Sequence, residues 1–162
     1  MTEAEFISRF GGIYEHSQWV AEEVAAEAHT SEDMAEIATL MAECVDNASE
    51  DRQLALIRAH PDLAGKAQVA GELTADSTDE QASAGLDQCS VEEYAQFQDL
   101  NGRYKERFGF PFVMAVRGSS RADILAAFSA RLENDAATEF ETALEEIHRI
   151  AQLRLQAMAT ES

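Results

Sequence analysis

Two short fragments of this sequence carry the side chains that are best suited to proton transfer. Residues 60–66 read His-Pro-Asp-Leu-Ala-Gly-Lys, and residues 77–81 read Ser-Thr-Asp-Glu-Gln. Histidine changes protonation near neutral pH, and a carboxylate such as Glu80 can share general acid–base catalysis with it. His60 precedes a proline, which disfavours a helical conformation and so places the ring at a helix end. The fragments therefore predict a small acid–base site.

Each of these residues also has a purely structural explanation. His60 can cap the last carbonyls of a helix, where the helix dipole favours a cation. Glu80 follows Ser77 by three residues, the spacing of a capping box, which stabilises a helix start by about 1 kcal/mol. Arg154 continues the apolar stripe of the last predicted helix, so it needs a partner, either a carboxylate of the protein or one of a bound molecule. The residues alone leave both explanations open.

Length and composition indicate one globular domain over residues 1–162. The chain is 46% hydrophobic and long enough to bury a core without disulfides or metal. Apolar residues recur at helical spacing and only two prolines occur. We therefore predict an all-α fold, a single compact bundle of about eight helices. The apolar run 110–116, bounded by Pro111 and Gly118, is the exception and predicts one short extended segment.

Serine and threonine residues ahead of the apolar stripes predict where helices begin. The predicted N-caps are Thr2, Ser17, Ser31, Ser49, Ser77, Ser90 and Ser120. The last helix is predicted from about Thr138 to Ala159.

The charge balance restricts the partners. A net charge of −19 repels nucleic-acid phosphates and anionic membranes, so an anionic substrate would need a local cation. No apolar run approaches the ~18 residues of a membrane span, and the acidic N-terminus does not look like a signal peptide, which predicts a cytoplasmic protein. The four histidines are scattered, and Cys44 and Cys89 show no metal-binding spacing. We expect two small buried cysteines and neither cofactor nor metal.

Several segments together resemble one enzyme family, 2-oxo-4-hydroxy-4-carboxy-5-ureidoimidazoline (OHCU) decarboxylase. The resemblance covers nearly the whole chain, in order and with matching spacing. The segments that carry it are residues 10–17, 60–66, 77–86, 101–104, 108–112 and 150–155.

This resemblance implies a carbon–carbon lyase that catalyses the last step of urate breakdown, the stereoselective decarboxylation of OHCU to (S)-allantoin. It also implies an all-helical, cofactor-free and usually homodimeric enzyme with a functional link to hydroxyisourate hydrolase. By matching motif positions, His60 and Glu80 take the catalytic roles. The implied substrate contacts are Pro61, Ser77, Thr78, Asp79, Glu80, Gln81, Phe112, Val113, Met114, Ala115, Val116 and Arg154.

Two other functions stay open at this point. The chain can be an acidic helical module without catalysis that binds a basic or apolar partner through one helix face, which predicts an exposed apolar groove. It can also be a decarboxylase of a related ureido or imidazoline acid.

Overall fold

A computed structural model describes residues 1–65 and 71–161 of the chain. Eight α-helices make up most of these residues, and no β-strand occurs among them. The helices are α1 (Glu3–Phe10), α2 (Trp19–Ala28), α3 (Met34–Asp46), α4 (Glu50–Arg58), α5 (Ala75–Ser83), α6 (Val91–Phe108), α7 (Arg121–Arg131) and α8 (Ala136–Glu161), with a 3-10 helix at Leu86–Gln88 after α5. The predicted all-α fold is confirmed. None of the described helices is long and apolar enough to cross a membrane.

Four of the predicted helix starts are confirmed. Thr2, Ser49, Ser90 and Ser120 each accept a hydrogen bond from the backbone N–H three residues later. At Ser90 and Ser120 an acidic side chain also returns to the N-cap backbone, which completes a capping box. Such caps satisfy N–H groups that the first turn of a helix leaves without a partner. These ends are local in sequence and were therefore predictable.

Two helix starts in the first part of the chain were predicted at the wrong residue. α2 begins at Trp19, and the hydroxyl of Ser17 donates instead to the carbonyl of Glu15 (2.9 Å). α3 is capped by Asp33 rather than Ser31, since the Asp33 carboxylate accepts the N–H groups of both residues 35 and 36. An ionised carboxylate is a stronger acceptor than a hydroxyl, which explains why the later residue sets the start.

The chain divides into two compact units. Unit 1 comprises Met1–Ala59 and Ile147–Ser162, and unit 2 comprises His60–Glu146. α8 therefore contributes its first part to unit 2 and the rest to unit 1. Each unit has a buried apolar core, which includes Phe6, Phe10, Ile37, Met41 and Ile57 in unit 1 and Phe97, Phe112, Ile124, Phe128 and Ala143 in unit 2. A single domain over residues 1–162 stays a prediction.

The apolar run 110–116 is extended and mostly buried, as predicted, and it follows directly on α6. α6 ends because Gly109 adopts the left-handed conformation (φ 78°) while its N–H bonds the carbonyl of Lys105. The ring of Phe112 lies flat against that of Phe128, with 3.9 Å between centroids. The extended segment is thus fixed in the core of unit 2.

Candidate active site

His60 lies just beyond the end of α4, with 8% of its surface exposed. α4 ends at Arg58, and its C-cap Ala59 bonds back to the carbonyl of residue 55. The helix therefore ends two residues before the predicted stop at His60, in agreement with the conformational restriction that Pro61 imposes on the residue before it. The imidazole is buried.

The helix that carries Glu80 begins earlier than predicted. Thr74 is the N-cap of α5, and its hydroxyl accepts the N–H of Ser77 (3.2 Å). The predicted capping box at Ser77 and Glu80 is wrong, because Ser77 is already inside the helix. Glu80 consequently has no role in starting α5, so the capping box does not explain its position.

The positions 77, 80 and 81 share one face of α5, as expected for residues three and four apart. Ser77 and Gln81 are buried on this face, and Glu80 is half-buried. Thr78 and Asp79 are exposed. The structure thus brings three of the five predicted contact residues of this segment together and separates the other two from them. The substrate contacts themselves stay predictions.

The turn formed by residues 62–64, directly after Pro61, is held by amide side chains. Gln81 accepts the N–H of Ala64 through Oε1 (3.0 Å) and donates through Nε2 to the carbonyl of Asp62 (3.2 Å). Gln98 donates to the carbonyl of Ala64 (2.8 Å). Asn101 donates to the carbonyl of residue 63 (2.9 Å). Gln98 was not anticipated from the sequence, because nothing local distinguishes it from other polar residues of α6.

A cleft of about 330 Å³ borders this turn. It is lined by Pro61, Asp62, Gly65, Gln98, Asn101, Gly102 and Lys105. The carboxylate of Asp62 pairs with the ammonium of Lys105 (2.7 Å). Lys66, a second lysine close to Asp62 in the sequence, lies outside the described residues.

The predicted substrate segment Phe112–Val116 is anchored through its backbone. The guanidinium of Arg131 donates to the carbonyl of Val113 (2.7 Å) and lies 4.3 Å from the centroid of the Phe112 ring. The carboxylate of Glu146 accepts the N–H of Ala115 (3.2 Å). Met114 is half-buried, and the other four residues of the segment are buried.

A buried carboxylate, Glu139, organises the groups next to this segment. Its oxygens bond Arg131 Nε (2.8 Å), the Tyr104 hydroxyl (2.5 Å) and Asn134 Nδ2 (2.9 Å). Burial raises the pKa of Tyr104 above its usual range, and the hydrogen bond to the carboxylate of Glu139 raises it further. Sequence reasoning missed this cluster. The signal was present, since Arg131 follows the buried Phe128 by three residues and so continues an apolar stripe.

Arg154, in unit 1, is buried and has a carboxylate partner. Its Nη2 lies 3.0 Å from Glu15 Oε2, and the two side chains are 4% and 2% exposed. Nη1 donates to the carbonyl of Ile13 (3.2 Å). The structural explanation of Arg154 is thus confirmed as far as the ion pair is concerned, while its predicted contact with the substrate stays a prediction.

The cysteines differ from the expectation of small buried side chains. Cys44 and Cys89 are both half-buried and free. The Cys44 thiol donates to the carboxylate of Glu23 (3.0 Å), and burial raises its pKa to about 12. No group of three histidine, cysteine, aspartate or glutamate residues within the described ranges is placed to hold a metal ion.

Comparisons with known proteins agree with one another. The sequence model of a family described as OHCU decarboxylase matches residues 1–156. The 2-oxo-4-hydroxy-4-carboxy-5-ureidoimidazoline decarboxylase of Haloferax volcanii is 48% identical, over 93% of this chain and 86% of its own. A Uric acid degradation bifunctional protein from a Bacillus species is 41% identical, over 99% of this chain and 31% of its own. The crystal structure of an (S)-allantoin synthase matches with a TM-score of 0.77 and 34% identity, over 97% of this chain and 50% of its own. The chain belongs to the OHCU decarboxylase family.

Proposed function

We propose that His60 and Glu80 move the protons in the reaction of this family, the decarboxylation of OHCU to (S)-allantoin in urate degradation. One observation supports these roles most directly. A buried histidine and a half-buried glutamate lie in the same unit, and Glu80 takes no part in the cap of its helix. A half-buried carboxylate without a capping role is a candidate for chemistry.

The reaction has an internal electron sink. When the bond between the ring carbon and the carboxylate breaks, carbon dioxide leaves and the electron pair moves towards the adjacent ring C=N. The product of this step is an enediol-like intermediate, in which the carbon that bears the ureido group must still gain a proton. Because the substrate supplies its own sink, the protein has to contribute orientation and correctly placed protons.

His60 and Glu80 supply these protons. Between them they take the proton of the substrate hydroxyl and protonate one face of the intermediate, which fixes the chirality of allantoin. Pro61, Ser77, Gln81 and the segment Phe112–Val116 line and orient the substrate. Arg154 offers a guanidinium for an anionic group of the substrate, since a bidentate contact suits a carboxylate.

The two alternatives are less well supported. A non-catalytic binding module would expose an apolar surface, whereas Val91 is the only large hydrophobic side chain that is exposed within the described residues. A decarboxylase of a related imidazoline acid would keep the same proton-handling pair and differ in substrate preference. Assays with OHCU and with related ureido acids distinguish it from an OHCU decarboxylase.

We also propose that the enzyme works in the cytoplasm, as a homodimer, and in sequence with a hydroxyisourate hydrolase. The Bacillus relative is named a bifunctional protein of uric acid degradation, which supports a functional link to a second enzyme of that route. Light scattering after size-exclusion chromatography tests the homodimer, and a monomer at assay concentration would contradict it.

The proposal for His60 is tested by circular dichroism at the allantoin band with freshly made OHCU. His60→Asn should abolish stereoselective allantoin formation while helix content stays close to wild type. His16→Asn is the matched control, because His16 is an exposed histidine in the other unit and asparagine tolerates its left-handed backbone (φ 49°). A His60→Asn variant with most of its turnover would remove His60 from the mechanism.

A further inference from the structure

We propose that Gln81, Gln98 and Asn101 are positioning residues, which hold the turn after His60 and thereby set the place of its imidazole relative to Glu80. We call these three residues the amide clamp. The proposal rests on the proposed catalytic roles of His60 and Glu80.

The amide clamp bonds most of the backbone polar groups of the turn. Its three side chains bond four backbone groups of three consecutive residues, the carbonyls of residues 62, 63 and 64 and the N–H of residue 64. Leu63 and Ala64 are buried, and Asn101 and Gln81 make buried bonds to the carbonyl of Leu63 and the N–H of Ala64, which water does not readily replace. A buried backbone group that loses its partner is costly, and the turn would move to find another one.

Pro61 transmits the position of the turn to His60. Its ring fixes φ near about −65°. Few freely rotating bonds therefore separate the clamped carbonyl of Asp62 from the backbone of His60. A shift of the turn has to appear as a shift of the imidazole.

Gln81 connects the two proposed catalytic residues. It follows Glu80 directly on α5, and both ends of its amide bond the turn that follows His60. The clamp thus ties the helix that carries the carboxylate to the segment that carries the imidazole. Proton transfer needs donor and acceptor at a fixed separation, and an error of about 1 Å in such a site reduces the rate on the order of 100-fold.

One feature of the turn and one feature of the amide clamp are unfavourable for folding. Ala64 adopts a left-handed conformation (φ 51°), which is uncommon for residues other than glycine. The Oδ1 atom of Asn101 is the only buried side-chain polar atom within the described residues that has no hydrogen-bond partner. An apolar residue at 101 would avoid this unsatisfied atom but would lose the bond to Leu63. Violations of local rules of this kind concentrate where function requires them.

The test compares two glutamines that make the same kind of bond in different units. Gln98→Met removes the donor to Ala64, and Gln53→Met removes an equivalent donor to the carbonyl of Val45 (3.0 Å) in unit 1. We expect Gln98→Met to lower kcat by roughly 10- to 100-fold with KM within about threefold of wild type. Gln53→Met should leave both constants unchanged. Gln98→Lys, which keeps an N–H donor, should recover part of the lost kcat.

A spectroscopic measurement separates positioning from simple destabilisation. The protein has four histidines, and 15N-labelled histidine gives their ring signals separately. Gln98→Met should shift or broaden the signal of His60 and leave those of His16, His29 and His148 in place. If this variant is too unstable to assay, Gln98→Glu, which has the same shape without the N–H, replaces it.

The experiments distinguish a failure of the amide-clamp proposal from a failure of the proposed catalytic role of His60. If His60→Asn stays active, the catalytic role of His60 and the amide clamp are both overturned. If His60→Asn is inactive while Gln98→Met keeps the wild-type kcat and the wild-type His60 signal, the clamp alone is overturned. A fall in stability with unchanged kcat of the folded enzyme would likewise make Gln98 a structural residue only.

Discussion

Each of the two units contains a largely buried arginine–glutamate pair, and the surroundings of these two pairs differ. In unit 2, the guanidinium of Arg131 and the hydroxyl of Tyr104 meet at the same carboxylate, that of Glu139. In unit 1, Arg154 pairs with Glu15, while the neighbouring Tyr14 bonds His148 Nδ1 (2.8 Å). The pair in unit 2 also holds the backbone of the segment that we expect to contact the substrate.

The burial and pairing of an arginine do not by themselves show whether it binds substrate. Both arginines are little exposed (12% for Arg131 and 4% for Arg154) and paired, and both donate to a backbone carbonyl. The resemblance to the family assigns a substrate role to Arg154 and none to Arg131. Geometry within one unit does not distinguish a structural arginine from one that binds substrate. Substitutions whose effects on stability and on substrate affinity are measured separately can make this distinction.

The largest effect is expected for Glu139→Ala. It leaves the largely buried Arg131 without its carboxylate and removes the acceptor of Tyr104, and breaking one side of a buried pair costs about 3–5 kcal/mol of unfolding free energy. Denaturant unfolding followed by circular dichroism measures this loss. The control is Glu141→Ala, an exposed glutamate on the same helix. A loss below about 1 kcal/mol would mean that the cluster is not a structural anchor.

Arg154→Gln tests the other pair. If Arg154 binds an anionic group of the substrate, KM should rise at least about tenfold, which corresponds to ~1.4 kcal/mol of binding free energy. Arg149→Gln, an exposed arginine on the same helix, is the matched control. Initial-rate kinetics give KM, and thermal unfolding gives the stability. A variant that loses stability but keeps its kinetics would make the pair with Glu15 purely structural.

The two buried tyrosines predict how the unfolding free energy changes at alkaline pH. Burial raises the pKa of both Tyr14 and Tyr104, so each keeps its proton in the folded protein at pH values where the unfolded chain, with a pKa of ~10, has lost it. The folded state then binds more protons, and the unfolding free energy must fall as pH rises above ~10, by about 1.4 kcal/mol per pH unit for each tyrosine. Denaturant unfolding from pH 9 to 11 measures this slope, which Tyr14→Phe should reduce. An unchanged slope would contradict the prediction.

The smallest effect is expected for Asp46→Asn. Asp46 Oδ1 lies 2.9 Å from His148 Nε2, but the aspartate side chain is 60% exposed. Exposed ion pairs contribute about 0–1 kcal/mol, so the midpoint of unfolding should barely change. A loss comparable to that of Glu139→Ala would show that the bond from Tyr14 to His148 depends on Asp46.

Helix ends and the extended segment could be predicted because their causes are local. Ser90 and Ser120 reach only three residues ahead, and Gly109 stops α6 by its own conformation. Ser77 was misassigned as an N-cap because Thr74, three residues earlier, fills that role. Local patterns thus identify a helix more reliably than they choose between neighbouring polar residues at its start.

The buried charges were less predictable because their partners are distant in sequence. Glu139, Ala143, Ile147, Ile150 and Arg154 recur at helical spacing on α8. The stripe indicated a buried Arg154 at one end, but Glu139 at the other end looked like an ordinary acidic first turn. Its burial depends on Tyr104, 35 residues away in the chain. Gln98 in the amide clamp was missed for the same reason, since Ala64 lies 34 residues away.

The way in which the extended segment is anchored has an evolutionary consequence. Arg131 holds the carbonyl of Val113, which every amino acid provides, and Glu146 holds the N–H of Ala115, which every amino acid except proline provides. The backbone bonds alone therefore do not restrict the side chain at Met114, which is half-buried, whereas Val113 and Ala115 are also packed in the core. Because we propose that this segment contacts the substrate, a descendant of this protein could change its substrate preference by a single substitution at Met114 without a change in the path of the chain.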